Sequence, residues 1–389
     1  MTKFIVSNTF EKDVFDKVLT YNFNLLFGNN INEKRYFRDE LSKKLTQVTI
    51  LPYGSTGKLI TPESPGCCWN FPDGRSEIEM YGFKNAPQSE RKFTIHEFSH
   101  ELWHAMICLG NYLGSRAEFK DGFDLQGNAI EKQNCAGAIR HINYKTGEIK
   151  EIGNMYQETL TDILTSGSLI AYDESYRKQG VTLDTVFKHK YDSWKDTETG
   201  YSIFTSLTRL LIAAFSNNGT IGYDATARNG SSIFTCKTTI NTGYTLLSNT
   251  FLYNFAYNPM AIEEEFDQYL GHGSYERITT QMDEIFEEYC RTRVYTDKMK
   301  SIIKDFMIIV SDFTNAKKAY LQNMGMITRE ESNAIVANYN KIWNSLQKEY
   351  SSFFTQKDID DIKRRAYSYY NRPNNGSSRI KKVGTTQPA

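Results

Sequence analysis

An excess of charge of either sign is missing from this sequence: 46 Lys and Arg offset 46 Asp and Glu, for a formal net charge of +0 at pH 7. Without a basic surplus there is no global attraction for nucleic acid, and none is expected as a partner. Cysteine is also scarce. Cys67, Cys68, Cys108, Cys135, Cys236 and Cys290 include one adjacent pair and no CxxC, which excludes a zinc ribbon and a disulfide-dense secreted module. Long apolar runs are absent as well. The most apolar stretch, residues 203–215, carries Arg209 and is too short to span a bilayer. At the N-terminus, Glu11 interrupts the chain before an adequate apolar signal core, so a cytoplasmic location is the expectation. No Walker A loop, dinucleotide fingerprint, Gly-x-Ser-x-Gly elbow or EF-hand loop occurs, and Gly54-Ser55-Thr56-Gly57-Lys58 has the wrong spacing for a phosphate loop.

What remains is a globular composition. The chain has 389 residues, 40% of them hydrophobic, with Tyr 25 and Phe 24, enough for an aromatic-rich core and two or three domains. Apolar residues at helical spacing predict helices over 10–27 and 36–45, followed by strands at 47–51, 58–61 and 76–83. Pro62, Pro65 and Gly66 predict a loop before Cys67. A helix is expected over 94–109, with Thr94 and Glu97 as its capping box. Residues 136–144 and those from 149 onward read as a hairpin turning at Thr146-Gly147. Helices are expected at 158–172, 202–215, 245–257, 261–270, 275–290, 296–320 and 332–354. After Tyr370 the breaker-rich, basic sequence reads as a tail.

The chemistry concentrates in Phe93-Thr94-Ile95-His96-Glu97-Phe98-Ser99-His100. Residues four apart share a helix face, so His96 and His100 can present their imidazoles to one ion, with Glu97 beside its water. Three protein ligands are usual for a catalytic zinc. His104 lies one turn further, and His96, His100 and His104 together would spread over roughly 12 Å, too far to converge. His104 is therefore read as a side chain beside the ligands, lining the cleft or packing in the core. The third ligand is sought in Gln157-Glu158-Thr159-Leu160-Thr161-Asp162. Glu158 would supply an oxygen, and Asp162, one turn on, would accept a hydrogen bond from a ligand histidine and fix its ring.

Residues 96–100 and 157–162 together resemble the gluzincin class of zinc metallopeptidases, the thermolysin-like pairing of HExxH with a later Glu-x-x-x-Asp. The resemblance implies zinc held by His96, His100 and Glu158, with Glu97 as general base. It further implies that Asp162 orients the first histidine and that Gln157 supports His100. The chain departs from that class in its longer separation between the motifs and in lacking the thermolysin-type histidine acid. His272, Tyr156, His141 and His104 are the candidates for the oxyanion donor that such a reaction needs.

The expected fold is α+β. A zincin-like portion with a small sheet and active-site helix spans residues 1–172, a mainly helical domain closing the cleft spans 173–370, and a basic tail spans 371–389. The expected function is zinc-dependent hydrolysis of peptide bonds in a peptide or protein substrate. A zinc hydrolase acting on another amide and a noncatalytic interaction protein on the same fold are the alternatives. The intact Glu97 speaks against the last, because metal binding alone needs no water-activating base.

Overall fold

The computed structural model describes most of residues 2–106, 119–165 and 260–325, strands at 233–237 and 244–248, and scattered positions within 204–214 and 328–364. Four strands form the first sheet: β1 (Lys3–Ile5), β2 (Leu45–Leu51), β3 (Gly66–Asn70) and β4 (Ser76–Tyr81), in the order β1-β2-β4-β3. β1, β2 and β4 run parallel, whereas β3 lies antiparallel to β4 at the sheet's edge. The sequence predicts a loop before Cys67, but Gly66 already pairs with Met80. Conversely, the strand expected at 58–61 is a turn, tied down by backbone N–H groups of Leu59 and Ile60 donating to Glu79.

Three helices cover this sheet: α1 (Thr9–Phe27), α2 (Ile31–Lys44) and α3 (Arg91–Met106). α3 begins at Arg91, so Thr94 lies inside its first turn and is not the cap. Its apolar face, Ile95, Phe98, Leu102 and Met106, is fully buried, each such side chain contributing roughly 1.5–3 kcal/mol. Polar ties fix its position among these non-directional contacts. The Asn22 side chain donates to the Ser99 carbonyl (3.0 Å) and accepts from the Ser99 hydroxyl (2.7 Å), joining α1 to α3. Lys44 donates to the Ala105 carbonyl at 2.9 Å, placing a cation at the negative end of the helix dipole.

A second, antiparallel sheet follows: β5 (Phe119–Phe123), β6 (Ala129–Cys135), β7 (Ala138–Asn143) and β8 (Glu148–Ile152). The predicted hairpin is its β7–β8 pair, with Gly147 at φ 70 in the turn, a conformation that favours glycine. β8 leads directly into α4, helical over 154–165. β9 (Ile233–Lys237) and β10 (Tyr244–Ser248) pair antiparallel, so the start of the helix expected at 245–257 is a strand. α5 (Met260–Leu270), α6 (Ser274–Thr292) and α7 (Asp297–Asn323) form a packed group. Phe266 of α5 stacks on Phe313 of α7 at 4.5 Å.

The architecture is α+β: an N-terminal region with a small mixed sheet and helices, then a mainly helical C-terminal region. Buried side chains of α1, α3, α4, α6 and α7 belong to one continuous apolar cluster. The expected boundary at 172–173 and the tail from 371 lie outside the described residues. Among the described residues no helix is long and apolar enough to cross a membrane.

Candidate metal centre

α3 and α4 bring together His100, His104 and Glu158, whose ligand atoms lie within 4.8 Å of one another. His100 Nε2 lies 3.1 Å from Glu158 Oε2 and 3.0 Å from His104 Nε2, and His104 Nε2 lies 3.4 Å from Glu158 Oε1. A tetrahedral site with zinc-length bonds has edges of about 3.3 Å, so the three donors are already spaced as one face of such a tetrahedron. Both imidazoles are buried, while the Glu158 side chain is 33% exposed, which leaves the donor set reachable from solvent. These residues can hold a metal ion.

The outward nitrogens of the two rings lie near polar groups of α4. His104 Nδ1 lies 2.9 Å from the Gln157 amide nitrogen, and His100 Nδ1 lies 3.8 Å from Asp162 Oδ1. Both imidazoles turn Nε2 toward the shared point; coordination there leaves the proton on Nδ1, which needs an acceptor, so the Gln157 amide would have to present its oxygen to His104, and Asp162, at 3.8 Å, lies near His100 Nδ1 but beyond hydrogen-bond distance. His96 is oriented differently. It is buried, and its Nε2 lies 3.2 Å from Asp162 Oδ1, facing that carboxylate and not the trio. The metal-capable set therefore sits one helical turn beyond the expected His96, His100 and Glu158. The physical reason is the placement of α4, which sets Glu158 opposite the pair 100/104. Gln157 accordingly supports His104, where the expectation was His100.

Glu101 follows the first histidine of that pair, as Glu97 follows His96. It is buried and accepts the backbone N–H of Cys68 on β3. Its carboxylate and that of the half-buried Glu97 both lie against Gly66: a Cβ added there would stand 2.9 Å from Glu101 Oε1 and 3.0 Å from Glu97 Oε2. Burial pushes the Glu101 carboxyl up to about 8, with Glu97 and Glu158 adding to the rise and His100 opposing it. Burial alone would lower His100, but its hydrogen bond to Glu158 and the surrounding carboxylates carry it up to about 10. Glu158 moves the other way. Burial favours its neutral form, yet the charges and hydrogen bonds of His104 and His100 hold it well below the usual carboxylate range. Such a mutually tuned group of acids and bases at a partly open position is typical of functional sites.

The remaining candidates lie elsewhere. Tyr156 is in the core with its ring edge-on to Tyr275 at 6.0 Å, and burial pushes its hydroxyl far up. Its position follows from the helix, since Tyr156 is two residues before Glu158 and takes a different face of α4. His272 is 74% exposed at the α5–α6 turn, 3.5 Å from Asp267 in the last turn of α5. His141 is buried 3.3 Å from Glu276 of α6. Sequence reasoning missed Glu101 and the ligand position of His104, although a signal was present: His100-Glu101-Leu102-Trp103-His104 is itself an HExxH, overlapping the first. Comparison with family profiles, curated proteins and solved structures finds no match to this chain.

Proposed function

We propose that this chain is a zinc-dependent hydrolase of peptide bonds, with His100, His104 and Glu158 as ligands and Glu101 as general base. The observation that carries this reading is the convergence of the two imidazole Nε2 atoms and the Glu158 carboxylate at 3.0–3.4 Å, with a buried glutamate immediately following the first histidine. His100, His104 and Glu158 would hold a zinc ion, which would lower the pKa of water and polarise a carbonyl. Glu101 takes a proton from the attacking water and delivers it to the departing amine. Its hydrogen bond from the Cys68 N–H holds the carboxylate beside β3, and the Gln157 amide, presenting its oxygen to His104 Nδ1, would steady that ligand ring.

A peptide is the favoured substrate because β3 is the edge of its sheet and adjoins Glu101. An extended chain can pair with such an edge through main-chain hydrogen bonds, bringing successive carbonyls past the base. Trp69, 52% exposed on this strand, offers a surface for a substrate side chain.

The decisive experiment combines metal analysis with product analysis on a peptide library. The wild type is expected to carry stoichiometric zinc and cleave peptides. Glu101→Gln should retain the metal and lose roughly 10²–10⁴-fold in kcat, the usual worth of a general base. Glu97→Gln should lose much less. Full activity of Glu101→Gln rejects the assigned base, and if Glu97→Gln is the inactive, metal-loaded variant, the role belongs to Glu97. Stoichiometric zinc without any cleavage rejects peptide hydrolysis.

A further inference from the structure

Glu97 is a carboxylate at the candidate metal centre to which the proposed reaction gives no task. It is half-buried on α3, one turn before Glu101, and is not among the three residues whose ligand atoms lie within 4.8 Å of one another. Its charge acts on its neighbours, adding to the rise of the Glu101 carboxyl and of the His100 imidazole. One point beside Gly66, at the start of β3, lies 2.9 Å from Glu101 Oε1 and 3.0 Å from Glu97 Oε2, so the two carboxylates meet against the sheet's edge strand. Like charges one turn apart destabilise a helix, and among the described residues no lysine, arginine or hydrogen-bond donor is paired with Glu97. A neutral residue would serve α3 better, and a local conflict of this kind beside reactive groups marks a functional position.

We infer that Glu97 is a specificity residue, taking a positively charged nitrogen of the peptide beside the bond that is cleaved. This rests on the function proposed above and names its substrate class: peptides that bring an ammonium or guanidinium group to the cleavage point. A chain extended along β3 passes Gly66 and Cys68 in turn, two positions on one face of the strand. Glu101, hydrogen-bonded from the Cys68 N–H, addresses the scissile carbonyl, and Glu97 meets the substrate group that arrives beside Gly66. Because Glu97 is half-buried, a charge-assisted hydrogen bond there is stronger than on open surface. A neutral substrate side chain leaves the carboxylate to water. An acidic one faces Glu97, Glu101 and Glu158 together and is repelled, which adds discrimination. The donor can come from a free α-amino group or from a lysine or arginine side chain, since both present the same cationic N–H.

The test uses the full, zinc-loaded chain and matched peptides built on a sequence that it cleaves. They differ only in charge beside the scissile bond, which carries lysine, its neutral isostere norleucine, or glutamate, each with a free or an acetylated N-terminus. kcat/KM should be about ten- to a hundredfold higher for the cationic peptide than for its neutral counterpart, the worth of a hydrogen bond to a charged group, and the gap should narrow as salt is raised. Comparing the lysine and free-amine arms identifies which nitrogen is read. In Glu97→Gln the preference should fall to within a few-fold of unity, chiefly through KM, with zinc content unchanged. Glu97→Lys should reverse it in favour of the glutamate peptide, a rescue that a merely structural role would not give. Equal cleavage of all peptides by the wild type, or a preference that survives in Glu97→Gln, overturns the inference. So does a second zinc that is lost with Glu97→Gln, which would make Glu97 a metal ligand, or a zinc-loaded Glu97→Gln inactive on every peptide, which would make it the base. Those results leave peptide hydrolysis standing; a wild type that cleaves no peptide sinks the hydrolase proposal and this inference with it.

Discussion

His100 belongs to two overlapping motifs, as second histidine of 96–100 and first histidine of 100–104. Helical spacing places either pair on one face of α3, so the local pattern is equally good for both. The selection is made by Glu158, whose landing point along α3 depends on how α4 packs and not on anything within residues 96–104. The convergence of a histidine pair with Glu158 was legible for that reason, and the frame was not. Spacing did exclude one arrangement correctly, since His96, His100 and His104 do not converge on one point: His96 faces Asp162 instead. The base assignment has a test at a single position. Gly66 keeps a Cβ out of the space occupied by the Glu101 and Glu97 carboxylates. The Glu97 side chain is half-buried but Glu101 is buried and tethered, so Gly66→Ala should cost about 1 kcal/mol of stability. The displaced Glu101, however, should lower kcat by up to about a hundredfold, the effect of an ångström of misplacement. Equal zinc content and wild-type kcat in this variant would show that Glu101 need not sit against β3.

At the scale of elements, α1, β2, β4, α5, α6 and α7 announce themselves through periodicity, because each presents one continuous apolar face. β3 did not, because its Gly66-Cys67-Cys68-Trp69-Asn70 sequence has no alternation and follows two prolines; its strand character comes from pairing with β4. The same holds for β10, whose residues fit either period until β9 lies beside it. The start of α4 also depends on a distant partner. Asp283 of α6 accepts the backbone N–H of Gly153 at 2.7 Å and of Met155 at 2.8 Å, capping from across the fold the helix that carries Glu158. Asp283→Ala should therefore cost about 1–2 kcal/mol in urea unfolding, as loss of a cap does, and weaken metal binding by letting Glu158 drift. Burial raises the Asp283 pKa, with the capping N–H groups and Glu287 acting in opposite directions on it. The folded chain thus keeps this proton to a higher pH than the unfolded chain. Its contribution to stability consequently declines as pH rises from the ordinary value of 3.8 through the raised one. Asp283→Asn should flatten that part of the stability profile; an unchanged slope would mean the carboxyl ionises alike in both states.

For the molecule as a whole, the metal-capable trio does what no single element does: it ties α3 to a helix whose ligand lies 58 residues further along the chain than His100. Around it, one apolar cluster runs from α1 to α7, and α6 holds the start of α4 by Asp283. An ion that binds the folded chain and not the unfolded one stabilises it by mass action, about 4 kcal/mol at a free concentration a thousandfold above Kd. Thermal unfolding should therefore shift upward with added zinc and downward with a chelator, and the shift should grow with the logarithm of free zinc. His104→Ala, which removes one corner of the trio, should unfold at the same temperature with and without the metal, whereas His96→Ala should keep a reduced shift because His96 stands outside the donor set. The contrast between these two variants separates the frames at the level of the entire fold. If His96→Ala abolishes the zinc-dependent shift and His104→Ala preserves it, the ion is held by 96–100, and α4 must sit one turn further back along α3 when the metal is bound.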